Sequence, residues 1–166
     1  MDFALPPDLV RWQQRVRAFV EQELQPHDAA IEETGIVPPQ AMDGLRRMGL
    51  FGTNTPKDYG GLGLSMLGSC LAIEEIAKAH TAFYYLSGVN VHIGSKPIEF
   101  AGTEAQKRRW LPELASGRTI GAFALTEPDA GSDAARLATT ARRDGDHYVL
   151  NGGKIYITNA PEAGLF

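Results

Sequence analysis

The sequence predicts an α+β protein in which an N-terminal all-α helical domain is followed by an incomplete antiparallel β domain. Apolar residues recur at helical spacing through the first two-thirds of the 166 residues. After Gly117 the pattern changes to short alternating runs that are separated by turn signals. We therefore expect a helical domain at 1–120 and the first part of a β domain at 121–166.

Five helices are predicted from the periodicity of the first part. Pro26 should kink or end the first helix, Gly49 should stop the second, and Ser65 should cap the third. Thr103 and Gln106 have the spacing of a capping box at the start of the fifth. The expected ranges are about 7–26, 39–48, 66–79, 81–101 with a bend at 94–97, and 103–117.

Four short strands are predicted in the second part, at 120–125, 137–143, 147–150 and 154–158. The turn signal Asp144-Gly145-Asp146 joins the second and third strands into a hairpin. A region of about 45 residues is shorter than closed sandwiches or barrels need. We expect an unfinished sheet with exposed edges and a tendency to associate, and the end of the chain at Phe166 reads as an interruption.

Charge and composition exclude several classes of function. The chain has 16 Lys and Arg against 20 Asp and Glu, a net charge of -4, which does not give the basic face of a nucleic-acid-binding protein. No apolar run is long enough to span a membrane. The single cysteine, Cys70, excludes an internal disulfide and favours a reducing compartment.

Common catalytic motifs are also missing. The run Gly60-Gly61-Leu62-Gly63 has neither phosphate-loop spacing nor a preceding strand, so we interpret it as a turn. The four histidines have no zinc-ligand spacing, and no serine lies in a G-x-S-x-G motif. The pair Glu74-Glu75 is expected on a solvated helix face.

The stretch Phe123–Asp133 carries the first candidate site. A strand ends at Thr126, Pro128 forces a turn, and the following Gly-Ser-Asp run offers backbone N–H donors. The hydroxyls of Thr126 and Ser132 can donate or accept hydrogen bonds. This pattern suits a ligand anion or carbonyl, although an ordinary capped β-turn is the commoner explanation and stays open.

The stretch Asn151–Asn159 carries the second candidate site. In a strand, alternation places Tyr156 and Thr158 on one face, with Ile155 and Ile157 on the other. An aromatic ring beside a hydroxyl could flank a flat ring system. A half-exposed strand face without a ligand is the alternative.

Together these stretches resemble the two signatures of the acyl-CoA dehydrogenase family. Phe123–Asp133 is similar to the first signature and Asn151–Asn159 to the second. Three further runs match in order: Tyr59-Gly60-Gly61-Leu62-Gly63, Gly102-Thr103-Glu104-Ala105-Gln106-Lys107 and Leu111-Pro112-Glu113-Leu114-Ala115-Ser116-Gly117. The resemblance covers essentially the whole chain and implies a flavoprotein oxidoreductase of fatty acid metabolism with FAD as its cofactor.

The resemblance implies specific contacts with the flavin. Phe123, Leu125, Thr126 and Ser132 would line it from the first signature, and Ser132 would also approach the acyl-CoA substrate. From the second signature, Tyr156 would pack against the isoalloxazine ring, and Ile157 would contact the flavin. The Thr158 hydroxyl would lie near flavin N5. A turn of N–H donors and a strand-end hydroxyl are what the polar edge of a flavin needs.

The resemblance also implies a reaction and its partners. Family members dehydrogenate the α,β bond of an acyl-CoA thioester to give the 2-enoyl-CoA, and they pass electrons to an electron-transfer flavoprotein. Their base is a glutamate in a C-terminal helical domain, so no catalytic residue is assigned within the 166 residues. We expect a fragment that is inactive alone, a homo-oligomer in the longer form, and a bacterial cytoplasmic location.

Two other interpretations stay open at this point. The chain could be a catalytically silent module that binds flavin or acyl-CoA or takes part in assembly. It could also belong to a relative with the same scaffold and different chemistry, such as an acyl-CoA oxidase, a desulfinating enzyme or a nitroalkane oxidase.

Overall fold

The computed structural model describes residues 4–166. The first three residues belong to the predicted helical domain at 1–120 and lie outside the described residues. Helices occupy most of the chain up to residue 115, and strands appear only after it, which confirms the predicted α-then-β order. The α-helices are α1 (Pro7–Phe19), α2 (Asp28–Thr34), α3 (Pro39–Arg47), α4 (Met66–Ile76), α5 (Thr81–Val89), α6 (Lys96–Ala101) and α7 (Glu104–Ala115).

Helix ends follow local signals in the sequence. The Ser65 hydroxyl accepts a hydrogen bond from the Gly68 amide at 3.2 Å and caps α4. Thr103 and Gln106 form the predicted capping box of α7, in which each side chain binds the backbone amide of the other residue. Gly49 follows α3 with a φ of 72°, a conformation that glycine adopts without strain. These predictions are confirmed.

Two predicted helices are divided into shorter pieces. The first continues from α1 as a π-helical turn at Val20–Leu24 and a 3-10 turn at Gln25–His27, where Pro26 lies, before α2 resumes. Helix α2 was not predicted from the sequence. The fourth is divided into α5 and α6 by a π-helical turn at Asn90–Gly94, next to the predicted bend. The third ends at Ile76, three residues before its predicted end.

The helices surround one hydrophobic core. Helix α1 packs along α4, and α5 continues into the same core. Phe83 and Leu45 are fully buried, and Phe51 is 1% exposed. Because each large apolar side chain removed from water contributes about 1.5–3 kcal/mol, this core is the main source of stability in the helical part.

The β part contains four short strands, β1 (Ile120–Gly121), β2 (Thr140–Asp144), β3 (His147–Asn151) and β4 (Ala163–Leu165). β2 and β3 form an antiparallel hairpin from the pair Thr140 and Asn151 to the pair Asp144 and His147, with Gly145 at a φ of 61° in the turn. This hairpin confirms the prediction. β1 instead pairs in parallel with β4, a strand that the sequence analysis did not predict.

The predicted strands at 120–125 and 137–143 are shorter in the structure. Only Ile120 and Gly121 belong to a strand in the first range, although the Ala122 amide still donates to Leu165 at 2.9 Å. In the second range pairing begins at Thr140. The reason is that the amides of the two preceding residues donate to the carboxylate of Glu127 rather than to a neighbouring strand.

The predicted strand at 154–158 is wrong. Tyr156 has a φ of 55° and Asn159 a φ of 65°, so the chain turns where an extended strand was expected. The Ile155 amide donates to the carbonyl of Thr126 at 3.0 Å, but no named strand forms there. Tyr156 and Thr158 therefore do not share the face of a strand, as alternation had predicted.

Candidate functional site

Lys154 joins the two stretches that the sequence analysis singled out. We call residues 123–133 the first segment and residues 151–159 the second segment. The ammonium group of Lys154 donates to the carbonyl of Leu125 at 2.8 Å and to the carboxylate of Glu127 at 2.8 Å. Beside it, the Ile155 amide donates to the Thr126 carbonyl. Two side-chain bonds and one backbone bond thus hold the segments in contact.

Glu127 is the buried acceptor at this junction. The residue is 6% exposed, and its carboxylate accepts hydrogen bonds from the amides of Ala138 at 2.7 Å and Thr139 at 3.0 Å. The Lys154 ammonium group, assisted by Thr139 and Ala138, lowers the pKa of Glu127 to about 2. Glu127 is therefore a carboxylate at neutral pH and a poor proton acceptor.

The first segment turns immediately after Glu127. The amides and carbonyls of Glu127 and Ala130 exchange hydrogen bonds of 3.0 and 3.2 Å, which closes a tight turn over Pro128 and Asp129. Ser132 follows on the exposed side of the chain. The predicted turn is present, and Ser132 is exposed, so a ligand could reach it.

The second segment presents an aromatic ring to solvent. Tyr156 is 88% exposed and has a positive φ, a strained backbone conformation for a bulky residue. Three residues later, the Asn159 amide group donates to the carbonyl of Tyr85 at 2.9 Å, so this loop is anchored on α5. The anchor holds the loop while the Tyr156 ring remains free to stack.

Two of the predicted contact residues, Phe123 and Thr158, border two different cavities. Phe123 borders a cavity of about 500 Å³ together with Trp110 and Phe166. Thr158 borders another of about 640 Å³ together with Tyr85. Leu125 and Thr126 lie at the junction with Lys154 and Ile155 and border neither of these two cavities. The structure therefore brings the segments together through backbone and Lys154, and leaves most of the predicted side chains pointing to open space.

The arginines at the larger cavity already have partners. The guanidinium of Arg118 makes two hydrogen bonds with the carboxylate of Glu113, and this pairing lowers the pKa of Glu113 below its ordinary value. Arg46 donates to the carbonyl of Gly117 and to Asp43. These cations are therefore compensated within the chain, and the cavity is not an evident anion site.

Asn90 connects the helical part to the strand that leads into the first segment. Its buried side-chain amide donates to the carbonyls of Phe51 at 3.1 Å and Leu114 at 2.9 Å. Its oxygen accepts from the Gly121 amide at 2.8 Å. All three bonds satisfy backbone groups in the interior, so Asn90 fixes where β1 begins.

Sequence reasoning missed these connecting residues. Glu127 and Lys154 lie within the two stretches, and opposite charges in two stretches that share a ligand are a usable signal that they pair. Asn90 is a polar residue inside an apolar run, which is another such signal. Glu75 was expected on a solvated face, and its side chain is instead fully buried against Arg17 and Lys78.

The described part of the chain contains neither a cluster of metal-binding side chains nor a helix that could span a membrane. Among residues 4–166, no three His, Cys, Asp or Glu side chains lie close enough to hold a metal ion. None of the helices within this range is both long and apolar enough to cross a membrane.

Comparison with protein-family models identifies both parts of the chain. Residues 6–118 match the N-terminal domain of acyl-CoA dehydrogenases, and residues 122–166 match their middle domain. The chain belongs to the acyl-CoA dehydrogenase family. The family resemblance of the two segments is thereby confirmed.

Individual acyl-CoA dehydrogenases are similar over the same region. A probable acyl-CoA dehydrogenase of Bacillus subtilis is 40% identical over 165 residues, which are 98% of this chain and 43% of that protein. The glutaryl-CoA complex of a glutaryl-CoA dehydrogenase is 36% identical with a TM-score of 0.93, covering 99% of this chain and 43% of that one. An acyl-CoA dehydrogenase from Bacillus anthracis, complexed with FAD, is 36% identical with a TM-score of 0.86, and the match covers 96% of this chain and 28% of that one. The chain thus spans less than half of these relatives.

Proposed function

We propose that this chain contributes the first and second segments to an FAD site, and that the whole protein is an acyl-CoA dehydrogenase. The observation that carries the proposal is the contact between the segments through Lys154, Leu125 and Glu127. Two stretches that are separated by the 17 residues 134–150 meet, and they are the two that resemble the flavin-binding signatures of the family. The FAD complex of the Bacillus anthracis relative supports the same cofactor here.

The residues present fit a flavin. A flavin ring has apolar faces and a polar edge, so its site needs exposed flat or apolar side chains beside hydrogen-bond donors. Tyr156 is 88%, Phe123 42% and Leu125 37% exposed, although such side chains are usually buried. The hydroxyls of Ser132 and Thr158 lie on exposed residues of the same segments.

We propose separate roles for these side chains. Tyr156 stacks against the ring, Phe123, Leu125 and Ile157 exclude water from it, and the hydroxyls of Thr126 and Thr158 donate to its polar edge. Ser132 also binds the acyl-CoA. When bound, FAD supplies hydride acceptance from the β carbon of the acyl-CoA, which leads to the 2-enoyl-CoA.

Proton abstraction from the α carbon is proposed to need a base outside residues 4–166. The carboxylate of Glu127 lies at the junction of the two segments. Its pKa of about 2 and its hydrogen bonds make it a weak base. No other glutamate of the chain matches the base of the family. We therefore propose that this chain alone binds flavin without oxidising acyl-CoA.

Domain organisation, partners and location are part of the proposal. We place the boundary between residues 120 and 121, which the separate matches ending at 118 and starting at 122 support. Partners would be an acyl-CoA, an electron-transfer flavoprotein and further copies of the protein. The exposed apolar residues Tyr148, Val149 and Leu150 of β3 support association. A bacterial cytoplasm is the proposed location.

Titration with FAD tests the proposal. Binding to the purified chain should quench flavin fluorescence, because stacking on an aromatic ring quenches it. Tyr156→Ala should weaken binding about tenfold, which corresponds to one lost stacking contact. The matched control is Tyr148→Ala, since Tyr148 is also an exposed tyrosine, at 66%, but lies on the hairpin. Equal effects of the two variants would contradict the proposed site.

A further inference from the structure

We propose that Lys154 and Glu127 are positioning residues that set the spacing of the two FAD-binding segments. This inference rests on the proposed function and adds to it two residues that the flavin-contact assignment leaves out. Lys154 is 23% and Glu127 6% exposed as side chains, and the ion pair between them is 2.8 Å long. The pair lies at the contact between the segments rather than on the surface that they present.

The carboxylate of Glu127 joins three parts of the chain at once. It belongs to the first segment, it accepts from the amides of Ala138 and Thr139 just before β2, and it accepts from Lys154 of the second segment. A neutral side chain of this size could not satisfy two amides and one ammonium group together, because only the carboxylate offers enough acceptor sites. Glu127 therefore fixes the first segment relative to the hairpin.

Lys154 has the narrower role. Its ammonium group holds only the second segment, through Glu127 and the carbonyl of Leu125. If Lys154 is removed, Glu127 keeps its two amide donors, so the first segment stays on the hairpin. The second segment then keeps only the Ile155–Thr126 backbone bond of this junction, which should open more often. Replacing Lys154 should therefore loosen the contact between the two segments and leave the first segment attached to the hairpin.

The positions of the flavin contacts explain why this coupling matters. Leu125 and Thr126 stand next to Glu127, and Tyr156 and Thr158 follow Lys154 within four residues. When two segments contact the same ring, the affinity falls if the distance between the segments varies. Part of the binding free energy is then used to fix that distance. The ion pair is present in the chain without FAD, so its effect on the contact between the segments can be measured in the free chain.

Two measurements on the purified chain test this inference. Amide hydrogen exchange of Ile155 reports the coupling without flavin, and the dissociation constant for FAD reports its consequence. In Lys154→Met, Ile155 exchange should become about tenfold faster and FAD binding about tenfold weaker. Lys154→Arg keeps the charge and should restore both values to within about threefold.

Two further variants serve as controls. Arg142→Met removes a cation from the hairpin that pairs with Asp144 at 3.6 Å, and it should change neither measurement. Glu127→Gln keeps an acceptor oxygen for only one of the two amides and loses the charge that holds Lys154, so it should change both measurements at least as much as Lys154→Met does. If Lys154→Met fails to fold, Glu127→Gln and Lys154→Arg still provide the comparison.

Each result has a distinct meaning. Unchanged Ile155 exchange in Lys154→Met would overturn the coupling. Faster exchange with unchanged FAD affinity would overturn the positioning role while leaving the FAD site intact. Absence of FAD binding by the wild-type chain would contradict the proposed function, and the exchange result would still decide whether the pair couples the segments.

Discussion

The side-chain oxygen of Asn90 accepts a hydrogen bond of 2.8 Å from the backbone amide of Gly121, 31 residues further along the chain. Through this bond a helical turn in the core holds the first strand of the β part. The same side chain donates to the carbonyls of Phe51 and Leu114. One buried amide therefore aligns the helical part with the strand that leads into the first segment.

Replacing Asn90 should destabilise the chain strongly. Asn90→Leu leaves one amide and two carbonyls without partners in the interior, which should lower the free energy of unfolding by about 3 kcal/mol. Ser95→Ala is the control, because Ser95 is buried but makes one local bond to Val91. Urea unfolding of both variants measures the difference, and similar losses would contradict the role of Asn90.

Stability in acid should depend on Glu75. Hydrogen bonding to Arg17 lowers the pKa of Glu75 to about 2 from an ordinary value of 4.5. Because the folded-state pKa is depressed, this stabilisation is present above about pH 4.5 and disappears as the pH falls toward 2. Glu75→Gln should lower stability at pH 7 by about 2 kcal/mol, and the loss is no larger because solvent screens the half-exposed Arg17.

The acid dependence itself distinguishes Glu75 from its neighbour. Unfolding measured between pH 6 and pH 3 should show a smaller loss for Glu75→Gln than for the wild type. Glu74→Gln is the matched control, because Glu74 is an exposed glutamate on the same helix, and it should behave like the wild type. An unchanged acid dependence in Glu75→Gln would show that the buried ion pair is not the source.

Gly61 should not tolerate a side chain. An added Cβ would collide with the carbonyl oxygen of Thr55, because the Gly63 amide bonds to that same carbonyl and folds the loop onto it. Gly61→Ala should therefore cost about 2 kcal/mol or more. Gly153→Ala is the control, since nothing lies within 4 Å of its added Cβ. Thermal unfolding compares the two, and equal midpoints would contradict this packing.

Replacing Tyr156 with asparagine should raise the stability of the chain and weaken its binding of FAD. Its φ of 55° is unfavourable for tyrosine and better tolerated by asparagine. Since the ring is almost fully exposed, Tyr156→Asn should raise stability by about 0.5 kcal/mol while weakening FAD binding. Tyr156→Ala separates the two effects, because it removes the ring without easing the backbone. A Tyr156→Asn variant less stable than Tyr156→Ala would contradict the strain.

Locally encoded features could be predicted from the sequence. The cap at Ser65, the capping box at Thr103 and Gln106, and the hairpin turn at Gly145 each depend on residues within a few positions of one another. Each is present in the structure where it was expected. The α-then-β order followed from the change in apolar period, which is also a local property.

Features that depend on distant partners could not be predicted. The strand at 137–143 is shortened because Glu127 binds two of its amides, and the burial of Glu75 depends on Arg17, 58 residues away. The strand at 154–158 is replaced by a loop that Asn159 anchors on Tyr85, 74 residues away. Apolar alternation in these stretches gave no information about such partners. For the candidate site, the sequence indicated the two segments but not the ion pair that joins them.

The most direct test of the FAD site is the map of amide chemical shifts that FAD causes in the isotope-labelled chain. The account predicts the largest shifts at residues 123–132 and 156–158 together, with little change on the hairpin at Tyr148 or on α1. Shifts confined to one segment, shifts located elsewhere, or no shifts with FAD in large excess over the chain would contradict a flavin site built from both segments.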